Sequence, residues 1–341
     1  MKAIVYTKYG PPDVLQLREV AKPVLKDNQV LVKVHASSAN ALDYRRFEKT
    51  SLLGRFMDGV LLKAINTVIG ADIAGRVEAV GAAVTQFKPG DEVFGQSKAA
   101  RGAFAEYACA DENQLAQEPA NLSFEQAAAV PVAAITALQG LRDHGQIQAG
   151  QKVLINGASG GVGTYAVQLA KSLGAEVTAV CSSRNLEMTR QIGADHVIDY
   201  TQEDFSRNGQ RYDLIVAVNG NHPLRDYLRA LKPGGIVVVI GGSLSQFFRG
   251  ALLGPLVSRL GRKKVRTFIA KMNQKDLLFL KELLEAGKVV PVIEKGYPLS
   301  ETAEAIRYVA KGHARGKVVI TVGQNHESEQ IPAQSQEGAN A

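Results

Sequence analysis

The chain has 341 residues, 45% of them hydrophobic and 21% charged, with a net charge of +7 and 2 cysteines. At roughly 100–200 residues per domain, this length predicts two domains with ordinary cores. Cys109 and Cys181 read as buried free thiols, and two cysteines exclude a four-cysteine zinc lobe. No apolar run approaches the ~18 residues of a bilayer span. The opening residues carry no apolar signal core, so a reducing, cytoplasmic setting is expected. The basic charge comes without any nucleic-acid-binding pattern and suits an anionic cofactor or membrane surface better.

Residues 1–37 alternate as short strands, Ala3–Tyr6, Leu15–Val20 and Val30–Val34, with Gly10-Pro11-Pro12 turning between the first two. Asn40 is placed to cap a short helix reaching Glu48. Residues 51–69 are apolar and basic without clean periodicity. The stretch from Gly70 to Gly81 ends in a strand pattern, Lys88-Pro89-Gly90-Asp91 turns into Glu92–Phe94, and Ala103–Ala110 is a further strand. The first domain, residues 1–123, is therefore strand-rich.

The pattern changes at Ser123, which caps an alanine-rich helix, and a second helix follows Pro131. Strands Lys152–Asn156, Glu176–Cys181, Asp195–Asp199, Tyr212–Val218 and Ile236–Ile240 then alternate with helices such as Thr164–Leu173. Parallel strands need such crossovers, which predicts a doubly wound α/β sheet over residues 124–270, closed by Val265–Ile269. Residues 271–323 hold a helix from Asn273 to Gly287, strands Val289–Ile293 and Lys317–Val322, and a helix begun at Ser300. They are expected largely to complete the first domain. The Gln-, Glu- and Ser-rich tail, residues 324–341, reads as disordered.

Between the strand at Lys152–Asn156 and the following helix lies Gly157-Ala158-Ser159-Gly160-Gly161-Val162-Gly163. Such a turn lets the backbone approach a pyrophosphate, and the helix start offers unpaired amides. Its context, strand before and helix and strand after, predicts dinucleotide binding. An NAD site usually has an acid about 20 residues on. Here Ser182, Ser183 and Arg184 stand at the end of the second strand, two hydroxyls and a guanidinium that suit a 2′-phosphate. NADPH is the expected cofactor.

These motifs, with Gly70-Ala71-Asp72-Ile73-Ala74-Gly75, Gly193-Ala194-Asp195-His196-Val197-Ile198-Asp199-Tyr200 and His313-Ala314-Arg315-Gly316-Lys317-Val318, resemble the medium-chain dehydrogenase/reductase superfamily from Met1 to about Val322. The likeness is greatest to its zinc-independent quinone oxidoreductases and alkenal (enone) reductases. The resemblance implies a Rossmann domain inserted into a GroES-like catalytic domain, with the active site between them. Zinc relatives carry Gly-His-Glu where this chain has Gly70-Ala71-Asp72, and a ligand cysteine near Asn40; without those ligands no metal is expected. Conjugated acceptors take hydride without a metal because charge spreads to a distant oxygen.

The resemblance places Asn40 near nicotinamide and substrate, its amide donating to a developing oxyanion, besides capping the helix. Tyr44, one turn on, is a candidate proton donor or stacking residue, and an ordinary packed tyrosine is an equal reading. Asp43 is expected to be structural. Carry-over adds Gly160, Gly161, Val162, Ser182, Arg184 and Tyr200 as cofactor contacts, Tyr200 on the adenosine phosphate. Thr136 is expected on the nicotinamide side, Asn219 near a ribose or phosphate, and Gly241 and Gly242 where backbone nears the nicotinamide. Lys317 is expected to reach the cofactor from the C-terminal segment.

Leu52, Phe56, Leu61 and Phe247 are expected to line a pocket for a hydrophobic substrate. The basic end of residues 247–264 suits a lid or subunit contact better than a membrane surface, because Gly254-Pro255 interrupts any long amphipathic helix. A homodimer paired through the sheet edge at Val265–Ile269 is expected. The expected function is NADPH-dependent hydride transfer to quinones or α,β-unsaturated carbonyls. Alternatives are a zinc-free NADP-dependent alcohol dehydrogenase or carbonyl reductase, and an NADPH-binding regulatory module without turnover.

Overall fold

A computed structural model describes residues 1–47, 67–218, 222–241 and 262–323. The strand-rich part begins with β1 (Lys2–Tyr6), β2 (Leu15–Glu19), β3 (Gln29–Ala39) and α1 (Ala41–Phe47). It continues through β4 (Thr67–Val68), β5 (Asp72–Val80), β6 (Glu92–Gln96), β7 (Tyr107–Asp111) and β8 (Leu115–Gln117). Strand β1 sits between β2 and β4 in a small antiparallel sheet. The buried alternation of β3 and β5 pairs them antiparallel, with Val30, Val32, Val34, Ile73 and Val77 in one core.

Two helices lead into the second sheet: α2 (Phe124–Ala128) and α3 (Pro131–Gln139). Ser123 starts α2 with a capping box, its side chain accepting from the Gln126 amide while Gln126 reaches back to the Ser123 amide. Then follow β9 (Lys152–Asn156), α4 (Gly161–Ser172), β10 (Glu176–Cys181), α5 (Leu186–Gln191), β11 (His196–Asp199) and β12 (Tyr212–Ala217). The sheet closes with α6 (Leu224–Ala230), β13 (Leu231–Val239) and β14 (Lys264–Thr267). Its order is β11-β10-β9-β12-β13-β14, with every pair parallel. This is the expected doubly wound sheet. The order reverses between β9 and β12, which opens a crevice at the carboxyl end of β9.

The last segment contains α7 (Gln274–Glu285), β15 (Ile293–Pro298), α8 (Thr302–Ala310) and β16 (Lys317–Thr321). Strand β16 lies between β15 and β3, in the seven-stranded sheet that also holds β5, β6, β7 and β8. Its antiparallel register with β3 sets Val318 opposite Ala39, so Lys317 arrives beside Asn40. Helix α7 goes elsewhere. Its Leu277, Leu280 and Leu284 stripe packs into the core shared by α3, α4 and the parallel sheet.

The strand expected at Val289–Ile293 is displaced to β15. Pro291 removes a ladder donor there, and the Val290 amide donates to Gln168 Oε1 of α4 instead, at 2.8 Å. Helix α4 begins at Gly161 rather than Thr164, because the glycines that weaken the helical pattern are already inside it. Strand β3 runs five residues beyond Val34, to Ala39, carrying the chain directly to the site. No described helix is long and apolar enough to cross a membrane.

Candidate active site

The glycine turn occupies the crevice. Gly157 has φ +86, a left-handed conformation that favours glycine, and its amide and that of Ala158 both donate to Val180 O of β10 at 3.1 Å. A Cβ on Gly163 would lie 2.1 Å from Gly157 O, so only hydrogen fits where helix and turn cross. Ser159, Gly160, Gly161 and Val162 are half-buried around the start of the twelve-residue α4. The first amides of a helix have no internal partner, which makes this mouth suited to an anion. Ser159 O accepts from the Gly316 amide at 2.8 Å, which ties the turn to the C-terminal segment.

At the end of β10, Ser182 is half-buried, and Ser183 and Arg184 are exposed. Arg184 Nη2 donates to His313 O at 2.8 Å, so the guanidinium lies between the parallel sheet and the returning segment. Ser183 donates to Asp199 Oδ2 at 2.5 Å, and Asp199 also accepts from the Thr201 amide and hydroxyl. The Ser183 hydrogen bond is the largest cause holding the Asp199 carboxyl below its usual range. Tyr200 is 54% exposed, next to this group. Asn185, not singled out from sequence, is buried between the glycine turn and β10, donating to Ser159 Oγ and Ser182 Oγ.

The second half of the site is a buried polar knot. Asp72 opens β5 and is fully buried; its Oδ1 accepts from the Val132 amide of α3 at 2.8 Å. Its Oδ2 accepts from Ser38 Oγ at 2.5 Å and Asn40 Nδ2 at 2.8 Å, with Lys317 Nζ at 3.4 Å. Lys317 Nζ donates to Asn40 Oδ1 at 2.7 Å. Burial pushes the Lys317 ammonium down from 10.5, opposed by the charges of Asp72 and Asp43. The Lys317 stem passes the glycine turn, since a Cβ on Gly161 would come within 3.1 Å of its Cδ. Its ammonium, sent toward the cofactor by sequence reasoning, turns into this knot.

Asn40 is accordingly a hub. Its backbone amide donates to Asp43 Oδ2 at 2.8 Å, and its Nδ2 donates to Ser38 O at 3.1 Å as well as to Asp72. Both amide hydrogens are thus engaged inside the protein, and direct donation to an oxyanion requires one of them to be released. Tyr44 packs half-buried against the strand-rich core. The Thr136 hydroxyl bonds back to Val132 O within α3, at 2.6 Å. Gly241 follows β13 and meets β12 closely: a Cβ there would lie 2.1 Å from Val218 O. Asn219, Gly242, Leu52, Phe56, Leu61 and Phe247 lie outside the described residues. Sequence reasoning also missed Ser38 and gave no role of its own to Asp72, although Asp72 stands in the quoted Gly70–Gly75 motif.

Zinc does not fit this knot. Where the relatives carry cysteine, histidine and glutamate, this chain has the Asn40 amide, the Ala71 methyl and the Asp72 carboxylate, the last already satisfied by four groups, one a cation. Among the described residues no cluster of three or more His, Cys, Asp or Glu can hold a metal. A dinucleotide fits the other half: Gly163 lets the turn pack directly on the helix, and Gly160, whose Cβ position meets nothing nearer than Gly157 O at 3.7 Å, leaves room beside an amide-bearing helix start.

The fold and crevice define the class, a dinucleotide-binding oxidoreductase built from a Rossmann sheet and a GroES-like sheet. Residues 26–120 match the family described as alcohol dehydrogenase GroES-like domain, and residues 192–320 that described as zinc-binding dehydrogenase. The chain is 37% identical over 333 residues to a 2-methylene-furan-3-one reductase of Solanum lycopersicum, an alignment covering 94% of this chain and 79% of that one. It is 36% identical, with the same coverage, to the chloroplastic NADPH-dependent alkenal/one oxidoreductase of Arabidopsis thaliana. The solved quinone oxidoreductase of Coxiella burnetii superposes with a TM-score of 0.85 at 31% identity, over 95% of this chain and 99% of that one. The chain belongs to the medium-chain dehydrogenase/reductase superfamily, in its quinone oxidoreductase and alkenal reductase branch.

Proposed function

We propose that this protein is a zinc-independent, NADPH-dependent reductase of quinones or α,β-unsaturated carbonyls. The observation that carries the reading is the closure of the glycine turn on the C-terminal segment. Gly316 N bonds Ser159 O at 2.8 Å, and the next residue, Lys317, reaches Asn40 at 2.7 Å. A phosphate cradle and a buried polar knot therefore share one cleft. The relatives' activities, an alkenal/one oxidoreductase and a furanone reductase among them, support this substrate class.

The chemistry that NADPH would supply here when bound is a hydride for the electrophilic carbon of a conjugated acceptor. The amides of Gly161 and Val162, at the start of α4, would hold the pyrophosphate where the glycine turn brings the backbone close, and Ser182 and Arg184 would hold the 2′-phosphate. Thr136, Tyr200, Asn219, Gly241 and Gly242 are assigned to the rest of the cofactor site, and Leu52, Phe56, Leu61 and Phe247 to the substrate pocket. Lys317 fixes the orientation of Asn40 by occupying its carbonyl oxygen. The longer of the two Asn40 donor bonds, to Ser38 O, is the one that exchanges for a substrate oxygen when charge develops there. Tyr44 supports α1 and stands available for protonation of the product.

The same reading divides the chain into residues 1–123, 124–270 and 271–323, with α7 assigned to the nucleotide-binding core. It includes a cytoplasmic location and a homodimer paired through β14, the sheet-edge strand.

NADPH consumption with a panel of quinones and enones tests the function. Turnover with saturated ketones from simple enones, by protein containing less than stoichiometric zinc, is the expected result. Allylic alcohol as product points to carbonyl reduction, and nucleotide binding without turnover to a regulatory module.

A further inference from the structure

Asn185 carries a role that none of the activity considered above requires. It follows Arg184 in a short 3-10 turn, and its backbone is pinned on both sides. Its amide donates to Ser182 O at 2.9 Å, and its carbonyl accepts from Thr189 Oγ1 at 3.0 Å. Only 4% of the residue is exposed. A side-chain amide has two hydrogens on nitrogen. Here one points to Ser159 Oγ at 3.0 Å and the other to Ser182 Oγ at 3.2 Å. Asn185 Oδ1 is buried without a partner among the described residues. The side chain thus spends its donor end fully and leaves its acceptor end empty.

The consequence falls on the two hydroxyls. Each serine oxygen already accepts a hydrogen from Asn185, so its own proton is directed away from the asparagine. Neither hydroxyl donates to another group among the described residues. Ser159 sits in the glycine turn, where the pyrophosphate is assigned, and Ser182 at the end of β10, where the 2′-phosphate is assigned. We propose that Asn185 is a positioning residue that presets Ser159 and Ser182 as hydrogen-bond donors to phosphate, and through Ser182 sets the preference for a 2′-phosphorylated dinucleotide. This inference rests on the dinucleotide reading and adds to it.

The substitution Asn185→Asp inverts the arrangement at nearly constant shape. A carboxylate only accepts, so both serine protons turn inward and oxygen lone pairs face the phosphates. Dissociation constants for NADPH and NADH, measured on the full chain by nucleotide fluorescence, read the outcome without requiring turnover. NADPH affinity is expected to fall ~100-fold and NADH affinity ~10-fold, because two donors are lost to the first and one to the second. The NADPH-to-NADH preference therefore falls ~10-fold. Ser182→Ala alone is expected to lower that preference by a similar factor, and adding Asn185→Asp to it to change the preference little further, since both act on one hydroxyl.

An unchanged preference in Asn185→Asp overturns the inference and leaves the dinucleotide reading standing. So does an equal drop in the Ser182→Ala background, which would mark a through-space charge effect. Should Asn185→Asp fail to fold, Asn185→Ala carries the test: an NADPH-to-NADH preference lowered in Asn185→Ala and not lowered further by adding it to Ser182→Ala supports the inference, and an unchanged preference overturns it. Failure of the unsubstituted chain to bind either nucleotide overturns both readings together.

Discussion

The two halves of the cleft are built by opposite means. The glycine turn works through backbone: helix amides, a left-handed Gly157 and a Gly163 with no room for a side chain. The knot across from it works through side chains that the fold collects from four places, Ser38 and Asn40, Asp72, the α3 amide of Val132, and Lys317. A backbone site tolerates change in side chains but none in space. A side-chain site tolerates change in space but not in charge. Substitutions that exchange these sensitivities should break the contrast, and those that respect them should sharpen it.

The largest effect belongs to charge in the knot. Lys317→Met leaves Asp72 buried without its cation and should destabilise the protein by about 3–5 kcal/mol in denaturant unfolding. Adding Asp72→Asn should recover most of that loss, because the remaining groups are then neutral. Additive losses in the double variant would show that the pair is not a unit.

Space governs the other half. Gly163→Ala places a methyl 2.1 Å from Gly157 O, so the turn must open. A loss of about 2–3 kcal/mol is expected, together with loss of NADPH binding in a titration. Retained binding would contradict the cradle. Arg184→Ala is a smaller change at the rim. The guanidinium is exposed and bonded to His313 O, so stability should hardly move, while the preference for NADPH over NADH falls ~10-fold.

The smallest effect tests whether the strand-rich half carries its polarity in buried side chains generally. Burial, then the charges of Glu92 and Glu125, push Glu118 up to about 8 from 4.5, and its Oε2 has no partner among the described residues. Between those values the folded state holds a proton that the unfolded chain has released, so stability falls as pH rises through the window. Glu118→Gln should remove that fall, gaining about 1 kcal/mol at pH 8 after allowing for partial exposure, and matching the parent near pH 4.5. Parallel pH profiles of melting temperature for the two proteins would refute it.

This division also explains what could be read in advance. Strands Lys152–Asn156 and Glu176–Cys181 stand where the apolar runs place them, because a strand buried on both faces writes itself as a continuous hydrophobic stretch. The glycine turn is legible for the same reason: its chemistry is local and contiguous. The knot is not. Lys317 meets Asn40 across 277 residues and Asp72 across 245, separations that no periodicity encodes. Only the register of β16 against β3 creates the meeting, and register is a property of the assembled sheet. Asn185 was passed over because it looks like an ordinary helix-start residue. Its two serine partners come from different loops, one of them 26 residues away. The Val289–Ile293 strand failed for a local reason that was visible, the proline within it.

Isotope transfer tests the central claim most directly. The full chain is supplied with NADPH deuterated on the transferable position of the nicotinamide and with a simple enone, and the product is examined by NMR. Deuterium on the carbon β to the carbonyl of a saturated ketone is the expected result. Deuterium on a carbinol carbon, or none in the product, would contradict it.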